Sequence, residues 1–207
     1  MYQEIKDIST FILERLKNTD RKNFKVLLEH FGYFLEIDEQ IPLYTTNEIK
    51  AVFLPELANL RESKIWKEDL LFDPLTDLGI ELGILHLQIS NHDAIEYAES
   101  IEEPERLPFL ILDEHCGSGR KMLACYARFR EKAVYAGTEK NQYLHRIAII
   151  NMHLRNIHAH ILHVSHGYLH PDKYPTDWGW ANQFVVPKIA VLEQRETRLE
   201  RREWSDY

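Results

Sequence analysis

The first hundred residues carry apolar side chains at helical spacing. One apolar stripe runs through residues 5–16 and a second through residues 24–35, each with apolar positions three and four apart. Thr45 and Glu48 form a capping-box pattern ahead of a further apolar stretch. The simplest interpretation of these stripes is core packing, so this part of the chain is predicted to be helical.

Two more helices are predicted before residue 102. The stretch 72–85 has an apolar face that two glycines weaken. Ser90, with Asp93 three residues later, is typical of the start of a helix, here over residues 91–101. Residues 1–101 are therefore expected to form a helical N-terminal segment.

The pattern changes at Glu102, where β-type runs begin to alternate with helical ones. Strands are predicted over residues 109–112, 133–136 and 158–164, with helices over 120–130 and 143–154. Strand and helix alternating over short links is the pattern of a parallel, doubly wound sheet. We therefore predict an α/β core over residues 102–207 that closes with a helix beginning at Pro187.

Composition and charge narrow the class of protein. The 207 residues, 44% of them hydrophobic, suit one domain or one domain with a helical attachment. A net charge of −8 lowers the expectation of unaided nucleic-acid binding, which usually needs a basic face. No apolar run approaches the ~20 residues of a membrane span, and no secretory signal is recognisable. Two cysteines, Cys116 and Cys125, suit reduced thiols, so a cytoplasmic location is expected.

A glycine-rich turn separates the first predicted strand from the helix after it, in residues 113–120 (DEHCGSGR). Gly117 and Gly119 let the backbone approach a ligand closely, and the helix start presents free N–H groups. Parallel sheets of this kind bind ligands at the carboxyl ends of their strands. Glu139 follows Gly119 by 20 residues, a spacing at which an acid binds ribose hydroxyls in nucleotide-type folds.

These residues resemble the S-adenosylmethionine motif of N6-adenine DNA methyltransferases, D-P-A-C-G-S-G-[RG]-x-L-L, as found in the cofactor-binding half of type I modification subunits. Residues 135–139 (YAGTE) are similar to the family's Y-x-G-x-[DE], and residues 150–154 (INMHL) to its I-N-x-x-L. Upstream, residues 77–83 (DLGIELG) resemble its D-L-L-G-x-[IV]-[YF]-E-x-L stretch. The likeness covers roughly residues 70–167.

The resemblance implies a Rossmann-like, S-adenosylmethionine-dependent methyltransferase core with S-adenosylmethionine as its cofactor. The cofactor-binding residues that it implies are Ser90, Asp113, Cys116, Gly117, Gly119, Glu139 and Ser165. Glu139 would bind the ribose hydroxyls. Ser90 would replace the threonine of the family's Q-[FY]-[FY]-T-P stretch, and Ser165 the carboxylate that meets the cofactor's adenine.

The family's catalytic motif, [DNS]-P-P-[YFW], departs most from the pattern, because the eight prolines of this chain are never adjacent. Residues 177–184 (DWGWANQF) resemble a degenerate form, in which Asn182 supplies the amide and Phe184 the ring that stacks on a flipped base. Only 23 residues follow Phe184, so the later strands and a target-recognition domain are expected to be missing. Weak or no activity on DNA alone is expected, with DNA reached through a partner subunit.

Three questions stay open at this point. The chain could be a non-catalytic interaction protein that keeps the fold and forms a homo- or hetero-oligomer through the charged helix after Pro187. The histidines between residues 153 and 170 lack a familiar ligand set, so no metal site is predicted. Trp178 and Trp180 could line a pocket for a base or cover a sheet edge.

Overall fold

The computed structural model describes residues 21–38, 68–105 and 107–163, with isolated positions between 47 and 55. The helices within these ranges are α1 (Arg21–Phe34), α2 (Pro74–Glu81), α3 (Asn91–Ser100), α4 (Arg120–Phe129) and α5 (Gln142–Leu154). The strands are β1 (Phe109–Asp113), β2 (Ala133–Glu139) and β3 (Ala159–His163). A short 3₁₀ helix, Arg130–Lys132, joins α4 to β2.

The three strands form a parallel sheet in the order β1-β2-β3. In its register, Asp113 of β1 lies beside Gly137 of β2, which lies beside Ile161 of β3. Crossovers join β1 to β2 and β2 to β3, and the three strands run parallel, so their carboxyl ends meet at one edge. The predicted α/β fold with a Rossmann-like parallel sheet is confirmed.

Both crossover helices lie on the same face of the sheet. On α4, the Phe129 ring packs edge-on against Phe109 of β1 at a centroid distance of 5.2 Å. On α5, the His145 ring lies 5.4 Å from the ring of His163 at the end of β3. Alternate strand residues therefore face the helices, as expected for right-handed crossovers between parallel neighbours.

The earlier helices pack on these crossover helices. α3 packs against α4, and both α1 and α2 pack against α5. Phe24 of α1 contacts the Tyr143 ring at 5.8 Å, and Arg146 of α5 pairs with Asp38 just beyond α1. The described helices and the sheet thus share one hydrophobic core. A domain division between residues 101 and 102 stays a prediction.

Two predicted elements differ from the observed ones by more than one residue at an end. β2 continues to Glu139, three residues beyond the predicted end, because Gly137, Thr138 and Glu139 pair with β3. The stretch 72–85 is helical only over α2, whose N-cap is Asp73. The helix ends shortly before Gly83, which has a φ of +67°. Gly83 can adopt that left-handed conformation without strain.

Among the other predicted helix features, the cap of α3 lies within the described residues. The cap of α3 is as predicted, since the Ser90 side chain accepts a hydrogen bond from the Asp93 N–H at 3.1 Å. The helix after Pro187, the stripe over residues 5–16 and the Thr45–Glu48 pattern lie outside the described residues. In the described ranges, every helix is too short or too polar to cross a bilayer.

Candidate functional site

The loop after β1 is tied to the end of β2. The Cys116 N–H donates to the Thr138 carbonyl at 3.0 Å, and the Thr138 hydroxyl donates to the Glu114 carbonyl at 2.5 Å. Within the loop, the Gly119 N–H donates to the Cys116 carbonyl at 2.8 Å. The turn predicted from sequence is therefore a hydrogen-bonded structure at the carboxyl edge of the sheet.

The two loop glycines occupy backbone conformations that other residues rarely adopt. Gly117 has a φ of +57° and Gly119 a φ of +88°. A Cβ on Gly117 would lie 2.9 Å from the Gln88 side-chain oxygen, and one on Gly119 would lie 2.6 Å from the Met152 methyl group. The positive φ values favour glycine at both positions, whereas the neighbouring Gln88 and Met152 atoms are the ends of flexible side chains that can shift.

Glu139, at the end of β2, meets this loop. One of its carboxylate oxygens accepts a hydrogen bond from the Gly117 N–H at 2.9 Å. The other accepts one from the Asn141 N–H at 2.7 Å, and the residue is only 7% exposed. The structure therefore brings together the acid and the glycine loop that sequence spacing had linked.

Asp113, the last residue of β1, is buried beside the loop. Its Oδ1 accepts hydrogen bonds from the His115 N–H at 3.2 Å and from the Lys121 ammonium at 3.0 Å. Its Oδ2 is buried and has no hydrogen-bond partner among the described residues. The Lys121 ammonium also lies 5.0 Å from the centroid of the Tyr97 ring.

Lys121 lies in the candidate site, and sequence interpretation did not single it out. It lies in the first turn of α4, where the helix dipole disfavours a positive charge. A lysine in that position is a usable signal, because a nearby acid is the simplest way to offset the cost. Asp113, eight residues earlier, is that acid.

Both thiols are buried and poor nucleophiles. Burial raises the pKa of Cys116 well above its ordinary value, and the neighbouring Asp113 and Glu139 carboxylates raise it further. Burial also raises the pKa of Cys125 to about 12. Cys116 packs against Gly137, where an added Cβ would lie 2.8 Å from the Cys116 Cβ. It therefore shapes the loop as a small apolar residue.

Ser90 lies on a segment that passes beside the glycine loop. Gln88 reaches Gly117, and the Ile89 carbonyl accepts a hydrogen bond from the Arg120 guanidinium at 2.9 Å. The Ser90 hydroxyl itself is exposed and engaged with Asp93, accepting from its N–H and donating to its carboxylate at 2.7 Å. A cofactor contact for Ser90 stays a prediction.

A buried polar network lies behind the loop and was also missed. The Ser118 hydroxyl donates to Asp73, and the Asn151 side chain donates to the Ser118 carbonyl. Arg155 belongs to the same network, because its guanidinium donates to the Asn151 carbonyl. Burial lowers the pKa of Arg155 to about 10, while the Asp73 and Asp69 carboxylates oppose that shift. An asparagine among the apolar residues of α5 was the available signal, since buried amides need partners.

The remaining predicted site positions fall near the end of the chain. Ser165, Asn182 and Phe184 lie outside the described residues. Over the ranges that the structure describes, no three His, Cys, Asp or Glu side chains are grouped as a metal would require. The pKa of His160, on β3, is lowered to about 4 by burial.

The parallel sheet with its crossover helices is a Rossmann-like fold. A crystal structure of a Listeria monocytogenes protein, described provisionally as a class I S-adenosylmethionine-dependent methyltransferase, matches with a TM-score of 0.53 and 13% sequence identity. The match covers 78% of this chain and 51% of the Listeria chain, so this chain corresponds to about half of that protein. No protein-family model matches the sequence, and no curated protein does.

Proposed function

We propose that this chain binds S-adenosylmethionine at the carboxyl ends of β1 and β2. The observation that carries the proposal is the hydrogen bond from the Gly117 N–H to the Glu139 carboxylate, which joins the glycine loop to the strand-end acid. The sequence resemblance and the class I methyltransferase fold support it. At such an edge, strand ends, a glycine loop and a helix start converge on one ligand.

Glu139 would bind the two ribose hydroxyls. A carboxylate has about four lone-pair positions, and the two backbone N–H groups occupy two of them. The lone pairs that remain can accept hydrogen bonds from a diol. The two glycines would let the ligand approach the loop backbone closely. Asp113 and Cys116 are buried behind the loop and would form the wall of the site.

The first test is a calorimetric titration with S-adenosylhomocysteine, the demethylated product. The wild-type chain should bind it, and Glu139→Ala should weaken binding by about 1–3 kcal/mol, the cost of losing charged hydrogen bonds. Glu139→Gln, which keeps an acceptor oxygen, should lose less. Glu99→Ala on α3 removes the same charge at an exposed position and should bind like the wild type.

Absence of binding by a folded wild-type chain at millimolar ligand would refute the proposal. Equal losses in Glu139→Ala and Glu99→Ala would refute the role given to Glu139, because a general charge effect would then explain both.

We also infer that the chain by itself transfers methyl groups to adenine in duplex DNA poorly. The sequence lacks the adjacent prolines that hold the acceptors of the target amino group, although Asn182 and Phe184 could still supply the two side chains. Loss of one preorganised contact commonly slows a reaction by about two to three orders of magnitude. DNA would then be reached through a partner subunit.

The second test is transfer of a tritiated methyl group to DNA, RNA, protein and lysate small molecules. Duplex DNA should remain nearly unlabelled by the isolated chain. Strong DNA labelling that Asn182→Ala abolishes would show that the degenerate motif is active and would contradict this inference.

A further inference from the structure

Ser118, between the two loop glycines, is held through both its side chain and its backbone. Its hydroxyl donates to Asp73 Oδ2 at 2.5 Å, and its carbonyl accepts from the Asn151 side chain at 3.0 Å. The residue is only 2% exposed. A loop whose glycines give it little stiffness is thus fixed at its centre by residues 45 positions before it and 33 positions after it.

The Asp73 side chain is fully buried, and both of its carboxylate oxygens accept hydrogen bonds. Oδ1 accepts from the Thr76 N–H at 3.3 Å and so caps α2. Oδ2 accepts from Ser118 and lies 3.6 Å from the Arg120 guanidinium, whose own hydrogen bond goes to the Ile89 carbonyl. The carboxylate therefore connects the start of α2, the glycine loop and the start of α4.

Arg155, at the end of α5, fixes the backbone on the other side of Asp73. Its guanidinium donates to the Leu70 carbonyl at 2.8 Å, to the Phe72 carbonyl, and to the Asn151 carbonyl at 2.9 Å. Asn151 is the residue that holds the Ser118 carbonyl. The supports of the loop are therefore joined to one another, and hydrogen-bonded groups in such a network act together.

We propose that Asp73 is a positioning residue for the ligand-binding loop, acting through Ser118. The inference rests on the proposed function, because the loop and Glu139 are its proposed binding groups. Gly117, which donates to Glu139, is the neighbour of Ser118. A displaced Ser118 therefore moves the Gly117 N–H and the carboxylate that receives it. Asp73 is 45 residues from Ser118 in sequence and needs no contact with the ligand.

The test is a double-mutant cycle with Asp73→Asn, Ser118→Ala and the double variant, in the full chain. Each single variant should weaken S-adenosylhomocysteine binding about tenfold or more, because a displaced Glu139 loses a charged hydrogen bond to the ligand. The double variant should bind as tightly as the single variant with the lower affinity, because both changes remove the same Ser118–Asp73 hydrogen bond. Dissociation constants come from calorimetry and stabilities from urea unfolding of the same samples.

Leu28→Ala is the matched control. Leu28 is a buried core residue of α1, so its truncation lowers stability away from the loop. It should leave the dissociation constant within about twofold, as expected of a distant site. Affinity losses in Asp73→Asn and Ser118→Ala no larger than in Leu28→Ala would overturn the proposal, since a purely structural role would explain them.

Hydrogen exchange of the Gly117 and Gly119 amides separates this inference from the proposed function. Both amides are hydrogen-bonded, to Glu139 and to the Cys116 carbonyl. Their exchange should quicken in Ser118→Ala while amides in α1 do not change. Unchanged exchange overturns the positioning role. If the folded wild type binds no ligand, the proposed function fails, and this measurement still decides whether Asp73 fixes the loop.

Discussion

Among single residues, the two cysteines show how burial decides chemistry. Both lie beside the candidate site, yet their raised pKa values keep them protonated at neutral pH. The thiolate is the reactive form of cysteine, and neither side chain is open to solvent. Their place in the molecule is that of small apolar side chains.

We therefore expect both thiols of the native chain to resist N-ethylmaleimide at pH 8, and both to react once urea unfolds the chain. Glu99→Cys, at an exposed position of α3, supplies a fast-reacting reference thiol. Mass spectrometry counts the labels. Labelling of the native wild type as fast as that of the reference thiol would contradict the described burial.

The sequence pointed to some residues of the candidate site and missed others for a physical reason. Gly117, Gly119 and Glu139 stand at spacings fixed by a strand–loop–helix unit, so a local pattern reveals them. Asp73 contacts Ser118 across 45 residues, and no periodicity encodes that contact. Lys121 carried only the weak signal of a cation at a helix start.

At the scale of elements, the order of helices and strands followed from sequence while some boundaries did not. The alternation of strand-like and helix-like runs after residue 102 gave β1, α4, β2, α5 and β3 in the right order. The extension of β2 through Gly137 depends on two neighbours, since β1 and β3 pair with it on either side. Glycine in isolation indicates a turn, and only tertiary pairing overrides that tendency.

Gly137 also illustrates what an element can require of its neighbour. A side chain there would meet Cys116 and Met122, so α4 and its loop can lie close to β2 only because that position is bare. In the same way, α1 approaches α5 at Gly32, beside the Arg146–Asp38 ion pair. Packing explains both glycines, and at Gly137 it accounts for a strand that the sequence pattern had ended one residue earlier.

For the molecule as a whole, two partly buried histidines make stability depend on pH. Burial lowers the pKa values of His145 and His160 to about 4, from an ordinary value of 6.5. At a pH between about 4 and 6.5, these two histidines bind protons in the unfolded chain but not in the folded chain. The contribution of these two histidines to stability is therefore complete above pH 6.5 and falls as the pH drops toward 4, by up to about 1.4 kcal/mol per pH unit for each histidine.

Urea unfolding at pH 7, 6 and 5 measures this dependence. His145→Gln, whose amide can still donate toward the Ile161 carbonyl, should show a shallower loss of stability than the wild type. His92→Gln replaces an exposed histidine of α3 and should follow the wild-type curve. Identical pH slopes for the wild type and His145→Gln would be the contrary result, because the other titrating groups are the same in both chains.

The two backbone partners of Glu139 bear on how such a chain can evolve. Without this side chain, the partly buried Gly117 and Asn141 amides would lose their acceptor near the strand ends, at a cost of up to about 1–3 kcal/mol for each. That penalty falls on the folded state whether or not any small molecule is present. Natural selection for a stable chain alone is therefore sufficient to retain the acid. A lineage that abandoned methyl transfer would still pass this signature to its descendants.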